Sequence, residues 1–317
     1  MLAALAAAGA VIGVTLLQTR GETTTVKGAV VTPQPGYPPL RLDFGVDASA
    51  EAQALARAQQ LYNGKHVAQA AAIFRRYQSP EARIGSAFAA WNQGGLATVE
   101  QLAKSYPSSG VVLLHLGFAE FWAGHNADAV GTWEKTARVA ADSPYGVKAE
   151  DLLHPTLKLP GLPYLLLDVQ PPRAIQKLPA AAELAALAKG AAKPSARAKL
   201  LYGLALWTNL QRPISAERQF AAAAKLSPHD PAARTAAAVG AFTKADPAKA
   251  FGRLGPLTGV FPRSSVVRLE LGLLLLWNGD PKKALPQLRL AAADQPGSSY
   301  SQDAKALLAH LPGTRSK

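Results

Sequence analysis

Histidines and carboxylates are the main candidates for acid–base or metal chemistry in this chain, because its 317 residues include no cysteine. Disulfides, thiolate metal sites and cysteine nucleophiles are therefore excluded. His115 and His125 are ten residues apart, on a predicted helix and the turn after it, which is poor spacing for two ligands of one metal ion. Glu120 and Glu134 are isolated acids on predicted helices. The six histidines are scattered: His66, His115, His125, His154, His229 and His310.

Known catalytic and phosphate-binding motifs are also missing from the sequence. It contains no Gly-x-x-x-x-Gly-Lys-[Ser/Thr] loop, no Gly-x-Gly-x-x-Gly turn after a strand, no His-Glu-x-x-His helix and no Gly-x-Ser-x-Gly elbow. The sequence therefore predicts no catalytic residue, no metal site and no cofactor. We expect a binding protein, with an enzyme as the least favoured alternative.

The elements that would position a binding site are helices in repeats. The chain is 49% hydrophobic and 17% charged, as expected of a folded, helix-rich protein. A 34-residue period relates three stretches near the C-terminus. The residues in register are Pro228, Pro262 and Pro296; Ala216, Ala250 and Ala284; Phe220, Leu254 and Leu288; and Ala223, Leu257 and Ala291.

Helix, tight turn, helix and proline at this period resemble the tetratricopeptide repeat (TPR) family. The matching residues in the last copy are Leu271, Gly272, Gly279, Ala284, Leu288, Ala291 and Pro296. The resemblance implies an all-α fold, a TPR-like α-solenoid of helix-turn-helix pairs. It also implies that the first helix of each pair lines a concave groove, where a protein or peptide would bind.

Groove residues follow from that resemblance. The residues expected on the groove wall are Phe118, Phe121, Trp122, Trp207, Phe242, Leu273 and Trp277. This wall is apolar and aromatic, which suits an amphipathic helix or an extended apolar peptide. In the alternative interpretation, the same side chains pack against neighbouring helices, a Pro-rich strap or a companion module.

A second period of 155 residues indicates a duplicated module. It relates Leu116-Gly117 to Leu271-Gly272, and Trp122 to Trp277. We predict two modules of about three helix pairs each, over residues 47–155 and 179–317, joined by a Pro-rich connector over residues 156–178. In the connector, the stretch YLLLDV is interpreted as a short strand or an apolar strap.

The N-terminus predicts a membrane-anchored bacterial protein of the TPR type. Residues 2–17 carry no charge, and a helix over residues 2–19 would span about 27 Å, close to the thickness of a bilayer core. We predict an uncleaved transmembrane signal-anchor over residues 1–20 and a Pro-rich linker over residues 21–46, with the repeats outside the cytoplasm. A cleaved signal peptide and secretion is the alternative, and no Lys or Arg precedes the apolar run to orient it.

Charge is distributed unevenly between the modules. Residues 47–155 contain 9 Lys and Arg against 10 Asp and Glu, whereas residues 179–317 contain 19 against 8. The main hypothesis is a membrane-tethered scaffold for a protein or peptide partner, in envelope assembly or in protein export and quality control. The alternative is a binder of an anionic cell-wall polymer or lipid surface through the basic C-terminal module. Nucleic acid is not an expected partner.

Overall fold

Helix hairpins form most of the described part of the chain. The computed structural model describes residues 33–157 and 159–311, and these contain helices and turns but no strand. The predicted membrane helix (residues 1–20), linker residues 21–32 and the tail 312–317 lie outside the described residues. Within the described ranges, no helix has the length and apolar character needed to cross a bilayer.

Module 1 contains three helix hairpins and a closing helix. The hairpins are α1 Ala50–Asn63 with α2 Val67–Phe74, α3 Pro80–Ala89 with α4 Gly95–Ser105, and α5 Gly110–Trp122 with α6 Asn126–Val139; α7 Pro144–Leu153 closes the module. The side chains of Ser49, Ser79 and Ser143 each accept a hydrogen bond from the first turn of the helix that follows. These N-caps fix where α1, α3 and α7 begin.

Module 2 repeats this order and adds two helices at its start. The added helices are α8 Arg173–Gln176 and α9 Ala180–Ala191. The hairpins are α10 Ala196–Thr208 with α11 Pro213–Leu226, α12 Pro231–Val239 with α13 Pro247–Leu254 and α14 Leu257–Val260, and α15 Ser265–Trp277 with α16 Pro281–Asp294; α17 Ser299–His310 closes the module. The prediction of an all-helical, TPR-like arrangement is confirmed for the described residues.

Three hairpins, α5–α6, α10–α11 and α15–α16, are held close by a glycine on the first helix facing a large side chain on the second. A β-carbon on Gly117 would lie 2.3 Å from Trp133 Nε1, and one on Gly272 would lie 2.6 Å from Leu288 Cδ2. Any side chain at these glycines would therefore collide with the partner helix. Because both pairs are related by the 155-residue period, the same crossing is built twice.

Two extended segments belong to the modules as well. Strap 1 is residues 36–45 (GYPPLRLDFG) and strap 2 is residues 161–170 (GLPYLLLDVQ). At an offset of 125 residues they share Gly, Pro, two Leu and Asp in the order Gly-x-Pro-x-Leu-x-Leu-Asp. Gly36 and Gly161 open the straps with φ of +83° and +82°, a backbone conformation that favours glycine.

The straps change how the linker and the connector are understood. From the sequence, strap 1 is predicted within the Pro-rich linker 21–46 and strap 2 within the connector 156–178, outside both modules. Instead, Leu40 and Leu42 belong to the core of module 1, and Leu165 and Leu167 to the core of module 2. The physical reason is the alternation of an extended chain, which turns every second side chain of the strap toward the helices.

The two modules contact each other around α7. Asp142, in the turn before α7, accepts hydrogen bonds from the backbone N–H and the hydroxyl of Ser215 and pairs with Arg212. Asp151 of α7 pairs with Lys244, just after α12, and accepts a hydrogen bond from Gly161 N–H at 2.8 Å. Asp151 therefore links module 1, the start of strap 2 and module 2 at one point.

Candidate binding grooves

The candidate sites are the two faces on which the straps lie. We call groove 1 the face of module 1 formed by α1, α3, α5 and α7, and groove 2 the face of module 2 formed by α10, α12, α15 and α17. These are the first helices of the hairpins, together with the closing helices. In each groove the strap occupies the surface that the TPR resemblance assigns to a bound peptide.

Strap 1 is anchored to groove 1 through its backbone. Tyr62 of α1 donates its hydroxyl to Pro38 C=O at 2.7 Å. Arg41 N–H donates to His115 Nε2 of α5 at 3.0 Å, and Asp43 N–H donates to the Tyr145 hydroxyl of α7 at 3.1 Å. Three helices therefore bind successive points of one extended segment.

A glutamine of α1 adds a ladder-like contact to strap 1. The Gln59 side-chain oxygen accepts from Leu42 N–H, and its amide N–H donates to Leu42 C=O at 3.4 Å. Leu40 and Leu42 insert between the helices, and Leu40 is completely buried. Burial of a leucine side chain contributes about 1.5–3 kcal/mol, so the two leucines contribute more to anchoring the strap than any single hydrogen bond does.

Strap 2 is bound by groove 2 in the same way. Trp207 of α10 donates its indole N–H to Pro163 C=O at 2.8 Å. Leu166 N–H donates to Glu270 Oε1 of α15 at 2.8 Å, and Asp168 N–H donates to the Tyr300 hydroxyl of α17 at 2.8 Å. Leu165 and Leu167 are buried as Leu40 and Leu42 are.

The groove partners correspond position by position. His115 and Glu270 are 155 residues apart, as are Tyr145 and Tyr300, and Tyr62 and Trp207 are 145 apart. Each groove thus carries an aromatic donor for the proline carbonyl, an acceptor for the strap N–H three residues later, and a tyrosine hydroxyl for the aspartate N–H. Recognition of the strap therefore rests on its backbone, with specificity from the two leucine positions.

The two grooves differ in the ionisable side chain that accepts a hydrogen bond from the strap, which is His115 in groove 1 and Glu270 in groove 2. Complete burial lowers the pKa of His115 to about 4, and the nearby Val111 C=O opposes that shift. Complete burial raises the pKa of Glu270 well above its usual range; the hydrogen bond from Leu166 lowers it and Asp303 raises it further. Burial therefore favours the neutral form of both groups, the unprotonated histidine and the protonated glutamate.

Five of the seven residues expected on the groove wall are buried. Trp207, Phe242, Leu273 and Trp277 are buried, as is Phe118, while Phe121 and Trp122 are half-buried. Trp207 binds strap 2 directly, and Trp277 packs edge-on against Tyr164 of strap 2, with ring centroids 5.4 Å apart. Trp207 and Trp277 thus contact strap 2 of their own chain, and binding of a partner by the expected groove residues stays a prediction.

The first module shows a similar arrangement. Phe118 and Phe121 both pack against Trp133 of α6, with ring centroids 5.9 Å apart in each pair. Trp122 takes part through its carbonyl oxygen, which accepts from Gln34 N–H at 2.7 Å, just before strap 1. Phe118 and Phe121 are therefore core residues of the α5–α6 hairpin and do not line groove 1 as free anchors.

Sequence reasoning missed the residues that hold the straps. They are Tyr62, His115, Tyr145, Glu270 and Tyr300. His115 is fully buried beneath strap 1. The signal that could have found them is the repeated strap motif, since a duplicated extended segment requires a duplicated set of partners. In the described part of the chain, no group of three or more His, Asp or Glu could hold a metal ion.

Among solved structures, similarity is found to helical repeat proteins. A tetratricopeptide repeat protein from Parabacteroides merdae is 12% identical, with 81% of this chain and 98% of that one covered, at a TM-score of 0.32. The C-terminal part of a TPR repeat-containing protein from Cytophaga hutchinsonii is 14% identical, with 79% and 98% covered, at a TM-score of 0.29. The TPR2AB domain of yeast Sti1 in its pHSP90 complex is 13% identical, with 82% and 96% covered, at a TM-score of 0.29.

No protein-family model and no curated protein sequence matches the chain. At TM-scores this low, the TPR-like fold is assigned from the chain's own hairpins, its 34-residue period and its glycine crossings. The function must likewise be argued from the grooves.

Proposed function

We propose that this chain is a protein-binding scaffold in which a groove binds an extended segment of a partner chain in place of its own strap. The observation that carries the proposal is the repeated strap complex. Two different segments are bound by two different grooves through the same backbone contacts. A surface that binds an extended peptide twice within one molecule has the chemistry needed to bind one from another molecule. The proposal assigns a binding role and no catalytic one.

Groove 1 is the better candidate for exchange. Strap 1 is flanked by a single backbone contact, from Gln34 N–H to Trp122 C=O at 2.7 Å, and by residues 46–49, which lead into α1. Strap 2 is restrained at both ends, by Gly161 on Asp151 and by Gln170 C=O, which accepts from Arg197 at 2.9 Å. A partner therefore displaces strap 1 with fewer contacts broken elsewhere.

A labelled peptide of residues 36–45 tests the proposal. In the full chain carrying Leu40→Asp and Leu42→Asp, strap 1 loses its buried anchors and groove 1 becomes available. We expect the peptide to bind this variant at least roughly tenfold more tightly than the wild type, where the tethered strap competes at high effective concentration. Fluorescence anisotropy measures the affinity, and circular dichroism checks that the variant is folded.

Two controls make the peptide experiment specific. A peptide with both leucines replaced by Asp should not bind, and the milder variant Leu40→Ala should give an intermediate affinity. Binding should persist in high salt, because the contacts are apolar and backbone-directed. Collapse of binding with salt would favour the alternative function, attraction of an anionic polymer or lipid surface to basic module 2. Equal affinity for wild type and variant would refute exchange at groove 1.

We also propose that the scaffold is tethered to the cell membrane and faces away from the cytoplasm, where it would act in envelope assembly or in export and quality control. The uncharged run over residues 2–17 supports the tether. Protease added to intact cells or spheroplasts is expected to degrade the repeats, and a membrane fraction should retain the chain. Full protection from protease would contradict the orientation, and recovery of the chain in the culture medium would indicate cleavage and secretion.

A further inference from the structure

We propose that protonation of His115 releases strap 1 from groove 1, so that acidification opens module 1 while module 2 stays closed. This inference rests on the proposed function, because it assigns a control to the same groove. It concerns the latch between groove and strap, whatever partner binds afterwards.

The hydrogen bonds of His115 leave no room for a second ring proton. Nδ1 lies 2.6 Å from Val111 C=O, which can only accept, so Nδ1 carries the proton. Nε2 must therefore be unprotonated in order to accept from Arg41 N–H at 3.0 Å. A proton on Nε2 would place two donors face to face, and the Arg41 N–H would lose its partner. The strap backbone must then move away.

The surroundings of the His115 ring do not stabilise the positive charge of a protonated imidazole. His115 is fully buried, and the rings of Phe88 and Phe118 lie edge-on to it, with centroids 5.3 and 5.9 Å away. Burial alone lowers the pKa of His115, and no charged side chain contributes to that shift within the described residues. The titratable or charged side chains on strap 1, on α5 itself and on the helices packed against α5 include Arg41, Asp43, Glu81, Arg83, Glu100, Lys104, Glu120, Asp128, Glu134, Lys135, Arg138, Tyr145, Lys148, Glu150 and Asp151.

Strap release is the smallest movement that hydrates the protonated ring. α5 is held by its own helical hydrogen bonds and by its crossing with α6. Strap 1 has no regular secondary structure and is fixed by side-chain contacts with α1, α5 and α7. Release of strap 1 exposes Nε2 to water without disturbing the hairpins. Protonation of His115 therefore weakens the binding of strap 1 and not the packing of the hairpins.

At the position of module 2 that corresponds to His115, Glu270 responds to pH in the opposite direction. Glu270 accepts from Leu166 N–H through Oε1, and its Oε2 is buried without a hydrogen-bond partner among the described residues. Acid keeps this carboxyl neutral, and neutral is the form that burial favours. Strap 2 is therefore held more firmly as the pH falls and is loosened only as the pH rises through the raised pKa of Glu270.

The expected size of the effect follows from linkage. With strap 1 closed the pKa of His115 is about 4, and with strap 1 open it returns toward the ordinary value of 6.5. The open form thus binds the proton more tightly, and opening is favoured as the pH falls below 6.5. Between pH 7 and pH 5 the ratio of open to closed strap 1 should rise about 20-fold if the open ring is fully hydrated.

Amide hydrogen exchange on the full chain measures this opening directly. After correction for the intrinsic pH dependence of exchange, the protection of strap 1 should fall about 20-fold from pH 7 to pH 5. Protection of strap 2 should stay constant or increase over the same range. A decrease in both straps, or in neither, would overturn the proposal.

His115→Gln provides the matched control, since its amide oxygen can accept from Arg41 and its amide N–H can donate to Val111. The pH dependence of strap 1 should disappear in this variant; if it persists, another group is responsible. Should the variant fold poorly, NMR of the wild type replaces it: the His115 ring and the Arg41 amide should titrate with one midpoint. Two separate midpoints would refute the latch.

The peptide experiment separates this inference from the proposed function. If strap 1 does not open at pH 5 but the peptide binds the Leu40→Asp, Leu42→Asp variant at pH 7, the latch fails and the scaffold stands. If strap 1 opens and the peptide binds neither the variant nor the acidified wild type, the latch stands and the binding function fails.

Discussion

Asp151→Ala is expected to lower the free energy of unfolding by about 4 kcal/mol, because it leaves a lysine charge buried between the modules. Lys244 Nζ pairs with Asp151 Oδ1, and the lysine side chain is only 3% exposed. Without Asp151 its remaining partner is Leu159 C=O at 2.8 Å. The same substitution removes the hydrogen-bond acceptor for the N–H of Gly161, the first residue of strap 2. Chemical denaturation followed by circular dichroism measures the loss.

An exposed ion pair within module 2 is the matched control for Asp151. Glu217 pairs with Lys249 and Arg253 at the surface, and Glu217→Ala should cost less than about 1 kcal/mol. The double variant Asp151→Leu with Lys244→Met removes both charges and should recover most of the stability. Equal losses for Asp151→Ala and Glu217→Ala would show that burial does not control the strength of this pair.

Gly117→Ala is expected to destabilise the chain by about 3 kcal/mol, because a single methyl group forces α5 away from α6. The new β-carbon would lie 2.3 Å from Trp133 Nε1 and 2.5 Å from Cδ1, and the indole ring is rigid and buried. Gly272→Ala should cost less, since the opposing Leu288 is a flexible side chain that can change rotamer. Thermal or urea unfolding of both variants gives the comparison.

Gly131 supplies the control for Gly117. It lies on α6 of the same hairpin, and a β-carbon there would meet nothing within 4 Å. Gly131→Ala should therefore stabilise the chain by about 0.5–1 kcal/mol through helix propensity alone. A stability loss at Gly131 as large as that at Gly117 would mean that the close crossing of α5 and α6 does not explain the loss at Gly117.

The hairpins could be predicted from sequence because their determinants are local. The 34-residue period places Ala284, Leu288 and Ala291 on one face of α16, and the turn glycine and prolines mark the helix ends. The duplication could also be predicted, since Gly117 has the same spacing from Trp122 as Gly272 has from Trp277. These relations hold within about 40 residues, or recur unchanged after 155.

The occupants of the grooves could not be predicted in the same way. Strap 1 contacts residues up to 102 positions away, such as Asp43 with Tyr145, and strap 2 contacts residues up to 132 positions away, such as Asp168 with Tyr300. The prolines favoured a spacer for strap 1, and for strap 2 the sequence left a short strand and an apolar strap as alternatives, although an extended chain with alternate leucines is also what a helical groove can bury. Composition does not distinguish the two, because each is locally extended.

By itself, therefore, the sequence determined the helices, their pairing and their duplication, since periodic side chains on a helix specify which face must be buried. Only the tertiary structure decided what fills the grooves. His115 and Glu270 are ordinary polar residues until a strap backbone lies over them, removes them from water and makes each the single acceptor for one N–H. Trp277, which was predicted to line a groove for a partner, packs against Tyr164 because strap 2 of the same chain occupies groove 2.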